Sequence, residues 1–211
     1  LIVDISDLND EWQILRAAAE AETTEGSYAE AERLWLSALE LAEEIGPRNY
    51  DQLYYTLESL AEVLWLNRRF ELAAPVCRRL LSSYMERSSA DHLDVGLMAQ
   101  NLALIYHQWN KHYEAERFYK VAVQVVGLRL GTRHKRFVTL LESYTKLLSF
   151  TKRDHDARLL QSYITQRVPG RWTKSGTWEA YNKSLAAYES TGRPSFERVA
   201  VWGESAKTIV K

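Results

Sequence analysis

Apolar residues recur along this chain at three- and four-residue spacing, in long stretches separated by short polar breaks. Trp12, Leu15, Ala18 and Ala19 mark one apolar face, and Glu22 continues its spacing until Gly26. Tyr28, Ala31, Leu34, Trp35, Ala38, Leu39 and Ala42 resume it up to Gly46-Pro47. This spacing predicts a helix, a tight turn and a second helix. The pattern then returns. Tyr54, Leu57, Leu60, Ala61 and Leu64 precede a break at Asn67-Arg68-Arg69, and Phe70, Ala73, Cys77, Leu80 and Leu81 follow it. Leu97, Leu102, Ala103 and Tyr106 precede a turn near Asn110, with Tyr113, Ala115, Phe118, Tyr119, Ala122 and Val123 beyond. Leu141, Tyr144, Leu147 and Leu148 precede a turn near Lys152, with Ala157, Leu160 and Ile164 beyond.

The four copies hold one register. Ala31, Ala73, Ala115 and Ala157 fall 42 residues apart. Trp35, Cys77, Tyr119 and Gln161 follow each by four, and Ala38, Leu80, Ala122 and Ile164 by seven. A fixed period of this length predicts an all-α solenoid of stacked antiparallel helix pairs. At least eight helices are expected over residues 10–167, with the four alanines buried within their own pairs. Residues 1–9 read as a lead-in. Residues 168–211 have no strict copy, but Trp178, Tyr181, Leu185 and Tyr188 form one apolar face. Phe196, Val199, Ala200, Ala206 and Val210 form a looser second one, after a break at Thr191-Gly192-Arg193-Pro194. That segment reads as a degenerate fifth pair capping the array.

Charge changes the picture more than composition does. The 211 residues carry a formal net charge of only −1. Residues 1–62 hold 15 acids and 3 bases, and residues 63–211 hold 13 acids and 24 bases, a split of −12 against +11. Such asymmetry bears on association rather than on fold. The single cysteine, Cys77, excludes an internal disulfide and falls at a core position. It suits a reducing compartment. With no leader-like segment and no long apolar run, a cytoplasmic location is expected.

The run Leu60-Ala61, a three-residue turn, Phe70 and Ala73 resembles the tetratricopeptide repeat, and Gly26, Tyr28, Ala31, Trp35 and Ala38 match it best. The 42-residue spacing is similar to the kinesin-light-chain subgroup. Asn101-Leu102-Ala103 and Leu130-Gly131-Thr132-Arg133-His134 match that subgroup's motifs, and His92 stands one period before His134. The resemblance covers about residues 10–167 and extends to bacterial kinesin light chains associated with tubulin-like filaments. It implies a right-handed α-solenoid, no enzymatic activity and a protein-binding groove lined by the first helix of each pair. Carried onto this chain, the groove positions are Arg16, Glu20, Glu58, Glu62, Trp65, Asn101, Leu104, His107, Gln108, Lys146 and Phe150. Trp65 and Phe150 read as anchors outside the packing positions, and Asn101 as a group able to meet a peptide backbone.

Catalytic chemistry finds no foothold. The chain has no phosphate-cradling glycine loop and no metal-ligand spacing, so neither cofactor nor metal is expected. His107 and His112 stand five apart and cannot share one helix face; His92 and His134 read as caps of the following helices. A basic face gathers at Arg129, Arg133, His134, Lys135 and Arg136, continued by Lys152 and Arg153. It suits an acidic protein surface such as a tubulin-like filament or an acidic tail. The acidic first copy also permits head-to-tail self-association. The alternatives are a peptide-binding signalling or assembly scaffold and a peripheral binder of anionic membrane; nucleic acid is not expected, since no recognition module accompanies the charge.

Overall fold

A computed structural model describes residues 5–46, 50–87 and 92–167, with side chains described through residue 164. The segment read as a capping pair lies outside the described residues. The chain forms two compact units, Leu1–Arg87 and Ser88–Lys211. Every regular element among the described residues is an α-helix, and there are eight. The first unit contains α1 (Ile5–Glu25), α2 (Tyr28–Ile45), α3 (Tyr50–Leu66) and α4 (Phe70–Arg87). The second contains α5 (Leu93–Gln108), α6 (His112–Leu130), α7 (Lys135–Phe150) and α8 (Asp154–Arg167). Odd and even neighbours pair, and α2 packs on α3 as α6 does on α7.

One turn closes every pair. Gly26, Arg68, Asn110 and Lys152 all have positive φ, at 82°, 59°, 59° and 59°. They stand one period apart. The residue after each donates its backbone N–H five residues back: Ser27 to Glu22, Arg69 to Leu64, Lys111 to Tyr106 and Arg153 to Leu148, at 2.8–2.9 Å. The left-handed residue itself donates three residues back in all four turns, at 3.0–3.2 Å. These two bonds are a Schellman ending, which satisfies carbonyls that a helix end otherwise leaves unpaired. The next helix then starts at once. Ala31, Ala73, Ala115 and Ala157 donate to the carbonyls of Ser27, Arg69, Lys111 and Arg153.

The four alanines are buried as expected, three of them completely and Ala157 at 5% exposure. A methyl group there lets paired helices approach; a larger side chain would overpack them. In the first unit Trp12 Nε1 donates to Thr56 Oγ1 at 2.9 Å, joining α1 to α3. The Trp35 and Tyr55 rings lie 5.9 Å apart between α2 and α3. In the second unit Tyr106 stacks on Phe118 within the α5–α6 pair, and Tyr119 on Tyr144 between α6 and α7. Approach there is very close. A Cβ on Gly96 would stand 2.8 Å from Val125, and one on Gly127 would stand 2.7 Å from Phe137.

Arginine and carboxylate repeat as a tie. Glu32, buried on α2, receives Arg69 from the following pair's turn, together with Asn67. Two periods on, Glu116 on α6 receives Arg153 at 2.7 Å, and Lys120 at 2.9 Å. Burial acts to raise the Glu116 carboxyl, but the hydrogen bonds and charges of Lys120 and Arg153 outweigh it and hold the group at about 2. Cys77 is fully buried, and burial pushes its thiol up, which makes it inert as a nucleophile.

The turn chemistry can be tested directly. A Cβ added at Gly26 meets nothing within 4 Å, so only its backbone conformation is at stake. Gly26→Ala should lower stability by about 1 kcal/mol, and Lys152→Gly should raise it by up to about 1 kcal/mol, because L-residues are disfavoured in the left-handed region. Urea unfolding midpoints read both. Equal midpoints for all three proteins would remove the turn from the account.

Candidate functional site

In the first unit, most groove positions are engaged within the protein. The Arg16 guanidinium lies 5.7 Å from the centres of the Trp12 and Tyr55 rings and 3.8 Å from Glu20. Glu20 accepts the Tyr55 hydroxyl. Glu58 is buried and accepts the Tyr84 hydroxyl at 2.6 Å. Tyr84 in turn packs on Tyr54, and Arg87 lies over Tyr50 and Tyr54 at 4.6 and 5.3 Å. Glu62 is half-buried. Trp65 corrects the sequence reading. It is only 7% exposed, so it belongs to the core rather than to a free anchor position. The reason is that α3 is buried around most of its circumference, from Gln52 and Tyr54 to Leu64 and Trp65. A helix covered that fully has little free surface on its groove side.

Asn101 on α5 is likewise buried, at 1% exposure, so a partner cannot reach it in this conformation. Neither of its amide atoms has a hydrogen-bonding partner among the described residues. An unmade bond of this kind costs about 1–3 kcal/mol per group. Ser59, one period earlier, is buried too.

Beyond Asn101 the surface of the second unit opens. Leu104 and His107 are half-buried, and Gln108, Lys146 and Phe150 are exposed, Phe150 at 63%. His107 Nδ1 lies 3.4 Å from the Tyr119 hydroxyl. Burial, then the nearby His112 and Lys146, lower the His107 pKa. The His112 ring lies 6.2 Å from His107 and 4.8 Å from Phe150. The ends of α5 and α7 and the start of α6 therefore bring together two imidazoles, a lysine and an exposed aromatic ring. The sequence reading missed His112. Five residues from His107, it cannot share that helix face, but the left-handed turn at Asn110 places it on α6, back against its neighbour. The signal was the turn itself.

The basic face resolves into three parts. Arg129, Arg133 and Lys135 are exposed, and Arg136 is half-buried, around the short α6–α7 connection. His134 has a different job. It is the N-cap of α7, with extended backbone, and its Nδ1 accepts the Arg136 backbone N–H at 3.2 Å. His92 does the same for α5, accepting from Asp94 at 3.4 Å. Burial, then the Arg136 charge, lower the His134 pKa, so the ring caps as a neutral acceptor and adds no charge to the face. Lys152 is exposed at its turn. Arg153, although at the surface, is tied to Glu116 and Asp156.

Among the described residues no three histidine, cysteine or acidic side chains converge as a metal site. Nor is any described helix long and apolar enough to cross a membrane.

Comparison with known proteins supports the fold. The structure resembles BtubC (BKLC) from P. vanneervenii at a TM-score of 0.62 and 21% identity, covering 97% of this chain and 89% of that one. It resembles the nearly identical TPR-like repeats of kinesin-light-chain type from Podosopora anserina at 0.67 and 13%, covering 100% and 99%. A singly substituted form of those repeats gives 0.67 and 14%, covering 99% and 97%. No family model matches the chain, and no curated protein matches its sequence. The fold is the all-α solenoid of tetratricopeptide type seen in kinesin-light-chain-like proteins.

Two outcomes follow. Trp65→Ala should cost about 3–5 kcal/mol of stability, as for other buried tryptophans; a loss under about 1 kcal/mol in denaturant unfolding would return the residue to the surface. His134 should make stability pH-dependent. Its folded pKa lies below the ordinary 6.5, so the unfolded chain binds the proton first. The cap is fully effective above that ordinary value and is lost as pH falls through the lower folded value. His134→Asn keeps a capping acceptor that does not titrate, so its unfolding midpoint should fall less than the native one between pH 7.5 and pH 5. Parallel curves would refute the cap.

Proposed function

We propose that this protein is a non-catalytic adaptor of kinesin-light-chain-like type whose partner is a protein with an acidic surface, namely a cytoskeletal polymer of the tubulin family or its regulator. The observation that carries the reading is the basic group Arg129, Arg133, Lys135 and Arg136. It is gathered around one inter-repeat connection, in a chain whose first 62 residues are strongly acidic. Like charges concentrated in one place steer an oppositely charged partner and raise its on-rate. The resemblance to BtubC (BKLC) supports the adaptor class. A cytoplasmic setting goes with it.

The edge formed by His107, Gln108, Lys146 and Phe150 supports a second contact, for an extended segment of the partner. Phe150 offers apolar area and Lys146 a charge, and such aromatic and basic positions are enriched among binding hot spots. The acidic first unit supports a further mode, head-to-tail association of copies through the same basic connection.

Co-sedimentation with tubulin-family filaments tests the proposal. Binding should weaken as salt rises, because exposed charges more than about 8 Å apart are largely screened at physiological ionic strength. Arg133→Glu, Lys135→Glu and Arg136→Glu together should lower the association rate by roughly tenfold or more while leaving helicity intact. The same variant should lose any self-association seen by analytical ultracentrifugation. Salt-independent binding that survives the triple change would return the weight to the groove edge. No binding to the filaments at all would remove the tubulin-family partner.

A further inference from the structure

We infer that the outward face of α6 in one copy of this chain docks on the open face of α1 in a second copy. This deepens the self-association proposed above and rests on that mode alone, not on the filament partner. α6 departs from the repeat on its outward side. Tyr113, Arg117, Val121, Gln124 and Leu128 recur at three- and four-residue spacing and so share one face. Tyr113 is 73% exposed, Leu128 68%, and Val121 is exposed as well. At the positions of Tyr113, Val121 and Leu128, α4 carries Glu71, Arg79 and Glu86, and α2 carries Ala29, Ser37 and Glu44. Those helices present no large apolar group there. Single exposed apolar residues are ordinary, but three along one helix face form a patch of the kind that marks an interaction site.

α1 presents the complement. Asp10, Ile14, Ala17, Ala21 and Glu25 share one face by the same spacing, and all five are exposed, Ile14 at 70%. On α3 the positions of Ile14, Ala17 and Ala21 are Thr56, Ser59 and Val63, all buried, with Thr56 bonded to Trp12 of the preceding pair. On α7 the positions of Ile14 and Ala21 are Leu140 and Leu147, buried too. The α1 face thus occupies pair-on-pair packing positions, yet no helix among the described residues covers it. Its two alanines leave room for larger side chains, and α6 supplies them. The spacings match in antiparallel register. Seven residues separate Ile14 from Ala21 and Leu128 from Val121, and four more reach Glu25 on one helix and Arg117 on the other. Leu128 then meets Ile14, Val121 meets Ala21, and Arg117 meets Glu25. Arg129, exposed beside Leu128, falls toward the exposed acids Asp10 and Glu11. Each copy carries both faces, opposite in charge and complementary in side-chain size, so a second copy is the occupant they fit. One helix on one helix buries less than the roughly 1,200 Å² of a standard stable interface, so the contact is reversible. It is also heterologous, which lets copies add in an open chain.

Disulfide trapping between full-length chains decides it. One protein carries Ala21→Cys and the other Val121→Cys; the native Cys77 is buried and does not compete. A disulfide forms only between directly apposed side chains. Mild oxidation of the mixture should give the 21–121 heterodisulfide in several-fold excess over either homodisulfide. Leu128→Glu in the Val121→Cys protein should remove that excess with helicity by circular dichroism unchanged, since Leu128 is exposed. Arg117→Glu in the same protein should cut the excess several-fold, and Glu25→Arg in the Ala21→Cys protein should then restore it. No heterodisulfide excess would overturn the inference and leave the faces to another occupant. A dominant 121–121 product, meaning symmetric pairing of α6, would overturn it as well. So would an excess that survives Leu128→Glu, or a charge swap that fails to restore the yield. No filament enters the experiment, so its failure and that of the tubulin-family partner are told apart.

Discussion

The left-handed residue at the turn of each helix pair sets the register on which the rest depends. A Schellman ending fixes where one helix stops, and the following alanine N–H, bonded four residues back, fixes where the next begins. With stop and start locked, the buried alanine always meets the same part of its partner helix. One copy uses glycine at the turn. The others place arginine, asparagine and lysine in a conformation that L-residues resist. Their backbone strain is offset by packing around the turn, chiefly at the alanines and the stacked aromatics beside them.

Electrostatic ties reinforce the same register. Glu32 with Arg69 and Glu116 with Arg153 join the second helix of one pair to the turn of the next, always over the same sequence distance. A partly buried carboxylate needs such partners, since burial disfavours its charge until hydrogen bonds outweigh the cost. The arginine that carries the tie sits one residue beyond the left-handed position. Local backbone geometry and between-pair electrostatics are therefore specified by adjacent residues, and a slip in one would break the other.

The fold was legible because it rests on local, periodic signals. Apolar spacing marked the helices, the breaks marked the turns, and Ala31, Ala73, Ala115 and Ala157 marked the close approaches. The capping roles of His92 and His134 were legible for the same reason, from position alone. The candidate site was less so. Trp65 and Asn101 occupy register positions that could face a groove, but burial depends on how fully neighbouring elements cover α3 and α5, which periodicity does not encode. His112 was hidden because a turn, not a helix face, brings it to His107. Arg153 read as free basic surface because its acid, Glu116, lies almost a full period away in sequence.

These corrections also sharpen the division of labour between core and surface. Tyrosine hydroxyls and arginines engage many of the first unit's polar side chains internally. Glu20, Glu32 and Glu58 therefore contribute to cohesion as well as to net negative charge. A carboxylate held by tyrosine or arginine is poorly placed to grip a partner, since binding would require breaking one charged hydrogen bond to make another. The α6–α7 connection differs. Its cations cluster around a short loop whose one histidine is neutral and occupied in capping. On the proposed reading, long-range attraction and local grip fall on different residues. There the basic connection is assigned the first, and Phe150 with Lys146 and the two imidazoles the second. Protonation would tune the second more than the first, because arginine and lysine stay charged across the physiological range while His107, its pKa lowered by burial, gains its charge only as the medium acidifies.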